Sequence, residues 1–250
     1  MKKVKLHNKE EINKVREAGH AAACVLDMIQ SHIVIGITTK KLDKICHNFI
    51  VNKLKVIPAN LGYNGFAHTI CTSINEVVCH GIPSDRKLRD GDIINIDVAV
   101  IKDGWYGDTS RMYFVGTPSI KAKCLVNTCY EAMIAGINVV KPEVTINNIG
   151  IAIQRIAKQK GFSVVREYCG HGIGQTYHTY PQIIHYNSLE NTSKLKTGMI
   201  FTIEPMLNEG KAKTVVLSDG WTVETRDHSL SAQWEHTIAV TDNGFEVLTK

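Results

Sequence analysis

The sequence predicts an α+β protein in which helices cover an antiparallel sheet built from two pseudo-twofold halves. Three observations carry that prediction. Helical and extended patterns come in runs rather than in strict strand-helix alternation. The order helix, aliphatic-Thr step, second helix, strands occurs twice, with Ile37-Thr38 and Leu42 matching Val144-Thr145 and Ile149 at an offset of 107 (144 − 37 and 149 − 42). No proline-rich or low-complexity linker divides the chain, so residues 1–250 read as one domain, with halves at about 9–115 and 119–248.

The elements follow in order. Asn8 with Glu11 three positions on is a capping-box pattern, and Ile12, Val15, Ala18, Ala22, Val25, Leu26 and Ile29 recur at helical spacing, predicting a first helix over about 9–30. Thr38 or Thr39 caps a second, whose buried stripe is Leu42, Ile45, Cys46, Phe49 and Ile50. A dense β-branched run over Ile93 to Ile101 and a partner over Arg111 to Val115 flank Lys102-Asp103-Gly104, which predicts a hairpin. Ser119 opens a third helix to about Ile137 and Thr145 a fourth that stops at Gly161, after which extended segments dominate.

Composition bounds the function classes. With 44% hydrophobic and 21% charged residues, the 250-residue chain can bury a substantial core, which excludes a disordered tail or a fibre. Its apolar stretches are strand-sized, far short of the roughly 20 residues that cross a bilayer, so no membrane partner is expected. The basic start Met1-Lys2-Lys3 is followed by a polar, acidic helix instead of an apolar leader core, so export is not expected. Seven cysteines without a Cys-x-x-Cys pair suit a reducing cytoplasm and argue against a structural zinc finger. The net charge of +5 is spread along the chain. It predicts no specific nucleic-acid partner; ribosome association is compatible with it, but an ordinary solvated surface accounts for it better.

Acidic residues in strand settings are the chemical signal. If residues whose numbers sum to 205 stand opposite one another across the Lys102-Asp103-Gly104 turn, Asp97 stands directly opposite Asp108. Like charges at such a position destabilise a sheet, so a shared proton or a cation must neutralise them unless one or both face water. The face behind Asp97, formed by Ile94, Ile96, Val98 and Val100, is wholly apolar. The offset of 107 carries Asp97 onto Glu204, which ends a hydrophobic strand just before Pro205. Glu235 opens another strand, His236 to Val240, which turns at Asn243-Gly244, and His171 lies between Gly170 and Gly172, where small neighbours allow close approach. Four carboxylates and one imidazole make an oxygen-rich set suited to divalent first-row metals, and their charge matches two dications.

Two other chemistries are set aside. Gly170-His171-Gly172-Ile173-Gly174 departs from a dinucleotide loop at Gln175, and no Gly-x-Ser-x-Gly elbow is present.

The segments Leu61-Gly62-Tyr63, Ser73 to Pro83, Gly170 to Gly174, Thr202-Ile203-Glu204-Pro205 and Gln233 to Thr237 together resemble type I bacterial methionine aminopeptidases, over nearly the full length. The resemblance implies the pita-bread fold of the creatinase and aminopeptidase class. It implies removal of N-terminal methionine from nascent proteins with a small second residue, by attack of metal-activated water on the first peptide bond. Two divalent ions per chain (Co, Mn, Fe, Zn or Ni) are implied, one on Asp97, Asp108 and Glu235 and the other on Asp108, His171, Glu204 and Glu235. Glu204 is expected to shuttle the proton, and His178 and His80 to stabilise the intermediate and position the peptide. Tyr63, Phe66, Cys71, Tyr177 and Trp221 match the pocket for the methionine side chain. Asn60, Phe66 and Tyr177 depart from the usual cysteine, tyrosine and phenylalanine, which leaves the metal set intact but alters pocket polarity. A monomer is expected.

Two rival readings differ in class. A related hydrolase that cuts before proline often carries an additional N-terminal domain, for which 250 residues leave no length. A metal-free binding module of the same fold would have lost ligands, whereas all five are present here.

Overall fold

The computed structural model describes residues 4–188 and 192–250, so the basic start at Met1-Lys2-Lys3 lies outside the described residues. Helix α1 (Lys9–Ile29) begins at the expected box: the Asn8 side chain accepts the Glu11 N–H at 2.9 Å and Glu11 accepts the Asn8 N–H at 3.1 Å. Helix α2 (Thr39–Asn48) is capped by Thr38, whose hydroxyl accepts the Lys41 N–H. Helix α3 (Ile120–Asn138) is capped by Ser119 in the same way. Helix α4 (Asn147–Gln159) starts one residue later than the Thr145 cap predicted. Thr145 is held in a β-bridge to Lys194, and its hydroxyl meets the Asn148 side chain instead of a backbone amide.

The long hairpin pairs Ile93–Lys102 with Trp105–Phe114, but in a register that corrects the expected pairing. Asp103 (φ 50°) and Gly104 (φ 81°) alone form the turn, the left-handed pair that a two-residue hairpin requires, so Lys102 faces Trp105. Asp97 therefore opposes Ser110, and Asp108 opposes Ala99. The slip is two residues, so both aspartates stay on one face and become diagonal neighbours instead of opposed ones.

The hairpin's apolar face packs as expected. Ile94, Ile96, Val98 and Val100 are fully buried in a cluster with Val25, Leu26 and Ile29 of α1 and Leu42 and Cys46 of α2. In the second half, a five-stranded sheet runs Phe245–Val247, His236–Val240, Ile200–Ile203, Gly170–Gly172, Thr179–Ile183 from edge to edge. Phe201 and Ile203 enter a separate cluster with α3 and α4, leaving Thr202 and Glu204 on the opposite face.

The two halves repeat in detail. Bridges join Thr38 to Lys87 and Thr145 to Lys194, again 107 apart (145 − 38 and 194 − 87). Leu88 donates to the Ile37 carbonyl and Leu195 to the Val144 carbonyl, both at 2.8 Å. Even the left-handed residues correspond: Gly36 with Glu143, and Gly91 with Gly198.

Candidate active site

The two sheets meet through their polar faces, and hydroxyl groups stitch them. Thr109 Oγ1 donates to the Glu235 carbonyl at 2.7 Å and Thr237 Oγ1 to the Asp108 carbonyl at 2.8 Å, a reciprocal pair that draws Asp108 and Glu235 together. Ser110 bridges to Glu235, and Asn95 Nδ2 donates both to Ser110 Oγ and to the Gln233 carbonyl. The Asn95 side chain is thus held from the far half through the Gln233 carbonyl, a contact that no local pattern contains.

Asp97, Asp108, His171, Glu204 and Glu235 converge on one cavity of about 340 Å³. Ligand atoms of Asp108, His171 and Glu235 lie within 4.8 Å of one another. His171 Nε2 is 3.5 Å from Asp108 Oδ2 and 3.6 Å from Glu204 Oε1, while its Nδ1 meets the Gly172 carbonyl at 3.1 Å. A proton on Nδ1 satisfies that carbonyl and leaves the Nε2 lone pair facing the acids. Glycine on either side of His171 serves the sheet: a Cβ at Gly170 would sit 2.3 Å from the Thr202 carbonyl oxygen and one at Gly172 2.4 Å from that of Tyr180. Close strand approach, rather than approach of a ligand, requires these glycines.

The acids are crowded and undersatisfied. Asp97 Oδ1, Asp108 Oδ1 and Glu235 Oε1 are enclosed without a hydrogen-bond partner, and among the described residues no lysine or arginine pairs with any of the four carboxylates. Burial, then the charge of Asp108, pushes the Asp97 carboxyl well above the ordinary range. Burial lifts Asp108 to about 7 against hydrogen bonds that pull it down. Glu235 is raised by burial and by Asp108, Glu204 and Asp97 in turn, and Glu204 mainly by burial. The same burial lowers His171 to about 4, which keeps it a neutral donor of a lone pair. Buried anionic oxygens without donors, beside a neutral imidazole, are the environment that a divalent cation satisfies. The donor set therefore fits a metal.

Glu204 differs in accepting from neutral side chains. Its Oε1 accepts Thr202 Oγ1 at 2.6 Å, Oε2 accepts Gln233 Nε2 at 3.4 Å, and its N–H donates to Nε2 of the buried His185 at 3.2 Å. Sequence reasoning missed Thr202, Gln233 and His185. Thr202 had a signal, since it shares a strand face with Glu204 at i−2; His185 had none, because its contact spans 19 residues.

Tyr63, His80, Tyr177, His178 and Trp221 line the same cavity, joined by Asn64, Tyr168, Cys169 and Met206, which the sequence did not single out. Tyr63 OH is 2.8 Å from His178 Nδ1. His80 adopts φ 55° and meets Tyr168 and Trp221 edge-on. Phe66 and Cys71 lie behind the lining. Phe66 packs edge-on against Trp221 at 5.0 Å, and Cys71 is buried opposite Asp97 on the neighbouring strand. All seven cysteines are free, and among the described residues no helix is long and apolar enough to cross a membrane.

Comparison with known proteins points the same way. The family model for metallopeptidase family M24 matches residues 13–242. A protein named methionine aminopeptidase from Escherichia coli K12 is 53% identical over 98% of this chain and 94% of its own length. The crystal structure of methionine aminopeptidase from Rickettsia prowazekii superposes with a TM-score of 0.97 at 53% identity, covering 99% of this chain and all of that one. A prolidase from Pyrococcus furiosus, at 22% identity and a TM-score of 0.77, shares the pita-bread fold alone.

Proposed function

The chain belongs to metallopeptidase family M24, in the group of type I bacterial methionine aminopeptidases, and from that premise we propose that it removes the N-terminal methionine from nascent proteins whose second residue is small. The observation that carries this reading is the convergence of Asp97, Asp108, His171, Glu204 and Glu235 on one cavity, with three enclosed carboxylate oxygens lacking donors.

Asp97, Asp108 and Glu235 would hold one divalent ion, and Asp108, His171, Glu204 and Glu235 a second, with Co, Mn, Fe, Zn and Ni all compatible with the donors. Bound there, the ions supply Lewis acidity that polarises the scissile carbonyl and makes water a nucleophile near neutral pH. Glu204 takes the proton from the attacking water and returns it to the leaving amine, a role favoured by its burial and its hydrogen bond from Thr202. With the Tyr63 hydroxyl donating to Nδ1, His178 carries its proton on Nε2 and offers it to the developing oxyanion. His80, in its left-handed conformation, holds the scissile peptide from the opposite wall. Tyr63, Tyr177 and Trp221 contact the methionine side chain, whose sulfur gains from aromatic edges; Phe66 and Cys71 support that wall from behind. The whole chain acts as one catalytic domain and as a monomer, working in the cytoplasm, where seven free thiols are stable. Contact with the ribosome, where nascent N-termini emerge, is part of this reading and rests on charge alone.

The test is methionine release from a Met-Ala-Ser peptide by protein stripped with chelator and then given Mn, Fe or Co. Release restored by metal is expected; none under any of the three overturns the proposal.

A further inference from the structure

Asn60 and Tyr177 form one structural unit. The Tyr177 ring is stacked on Tyr106 at 5.1 Å with an interplanar angle of 15°, meets Tyr63 edge-on at 5.0 Å and lies 4.1 Å from the His178 ring. These contacts hold the ring plane but give its buried hydroxyl nothing to bond. Asn60 Oδ1 accepts that hydroxyl at 2.7 Å. The Asn60 carbonyl also accepts the Tyr63 N–H at 3.0 Å, so one residue braces both tyrosines of the cavity wall. Asn60 itself is 7% exposed, and its Nδ2 is buried without a partner.

We propose that Asn60 is a positioning residue that sets the selectivity of the side-chain pocket by fixing the Tyr177 ring through its hydroxyl. The proposal rests on the aminopeptidase reading and deepens it. A buried hydroxyl that loses its acceptor, or a buried amide that loses its last partner, suffers the full desolvation penalty, whereas replacing both by apolar groups of similar shape is nearly neutral. Asn60 and Tyr177 must therefore act as a pair. Since the pair shapes the wall and not the carboxylate cluster, its loss should appear in how the first side chain is held.

The experiment compares wild type, Tyr177→Phe, Asn60→Leu and the double variant, as metal-loaded full chains, on Met-Ala-Ser and Leu-Ala-Ser. Each single change is expected to raise KM for the methionine peptide about tenfold with kcat little altered, and to narrow the preference for methionine over leucine. The double variant is expected to return KM to within about threefold of wild type. Unchanged KM and preference in Tyr177→Phe, or single effects that simply add in the double variant, would overturn the proposal. So would a uniform fall in kcat on both peptides, which marks a purely structural role. Tyr177→Phe removes a single oxygen, so that variant and the double decide the matter even where Asn60→Leu alone fails to fold. A wild type that releases no methionine is a different result: it removes the aminopeptidase reading and this proposal with it.

Discussion

Asp97 and Glu204 occupy equivalent places in the two halves, 107 residues apart (204 − 97), yet their surroundings differ. Each faces inward from a strand whose other face is packed under two helices. Asp97 sits within a ten-residue strand and keeps an enclosed Oδ1 with no partner. Glu204 stands just past the end of a four-residue strand, with Thr202, Gln233 and His185 bonded to it. Residues one step back diverge in the same sense: Asn95 braces Ser110 and the Gln233 carbonyl, while Thr202, its counterpart, donates directly to the carboxylate. The repeated scaffold has thus left one acid bare and given the other hydrogen bonds.

That contrast can be broken most sharply by neutralising each acid. Glu204→Gln is expected to lower kcat by about 10²- to 10⁴-fold, and added metal should not restore it. Asp97→Asn should lose activity that rising Mn concentration partly recovers. Titrations in which metal rescues both variants equally would erase the distinction.

The next effect concerns the bare side of the site without metal. Asp108 is raised from 3.8 to about 7 on folding, so between these values the folded chain holds a proton that the unfolded chain has released. The stability that proton confers is complete below pH 3.8 and is lost as pH rises through about 7. Metal-free Asp108→Asn should therefore match wild type near pH 4 and exceed it above pH 7 by a few kcal/mol, on the order of 1.4 per pKa unit. Urea unfolding at several pH values checks this, and saturating divalent metal should reverse the advantage.

Thr202→Val probes the proton carrier more gently. Loss of a hydrogen bond that orients a ligand is expected to cost about 10- to 100-fold in activity, with a displaced pH–rate profile. A pH profile identical to wild type would argue that Thr202 only packs.

The smallest effect compares the halves away from chemistry. Gly36 and Glu143 both have positive φ, at 89° and 68°. Gly36→Ala should destabilise by about 1–2 kcal/mol, and Glu143→Gly should stabilise by less, since glycine also loosens the unfolded chain. Thermal melts of the two variants read both signs.

Much of this was legible in local pattern. The Asn8-Glu11 box, the Thr38 and Ser119 caps and the apolar row Ile94, Ile96, Val98, Val100 each declare themselves within a few residues, because capping and side-chain alternation are short-range. The offset of 107 singled out Glu204 before any coordinates. Hairpin register was less accessible: Asp103-Gly104 is itself a two-residue turn signal, but pairing residues whose numbers sum to 205, where the observed pairs sum to 207, misplaced Asp108 by two positions. The start of α4 was placed one residue early because the Thr145 hydroxyl meets the Asn148 side chain and not a backbone amide, a choice that residue type does not fix.

Residue types and their spacing were therefore enough to pick out the five residues that converge on one cavity and the face the strand acids take, since alternation along a strand is a local property. Which polar groups end up bonded and which are left bare was decided by contacts between distant segments: Thr109 with Glu235, Thr237 with Asp108 and Asn60 with Tyr177 across the halves, and His185 with Glu204 within the second. Those partners lie 126, 129, 117 and 19 residues apart, and a hydrogen bond acts over about 3 Å, so only the folded chain brings them within its reach.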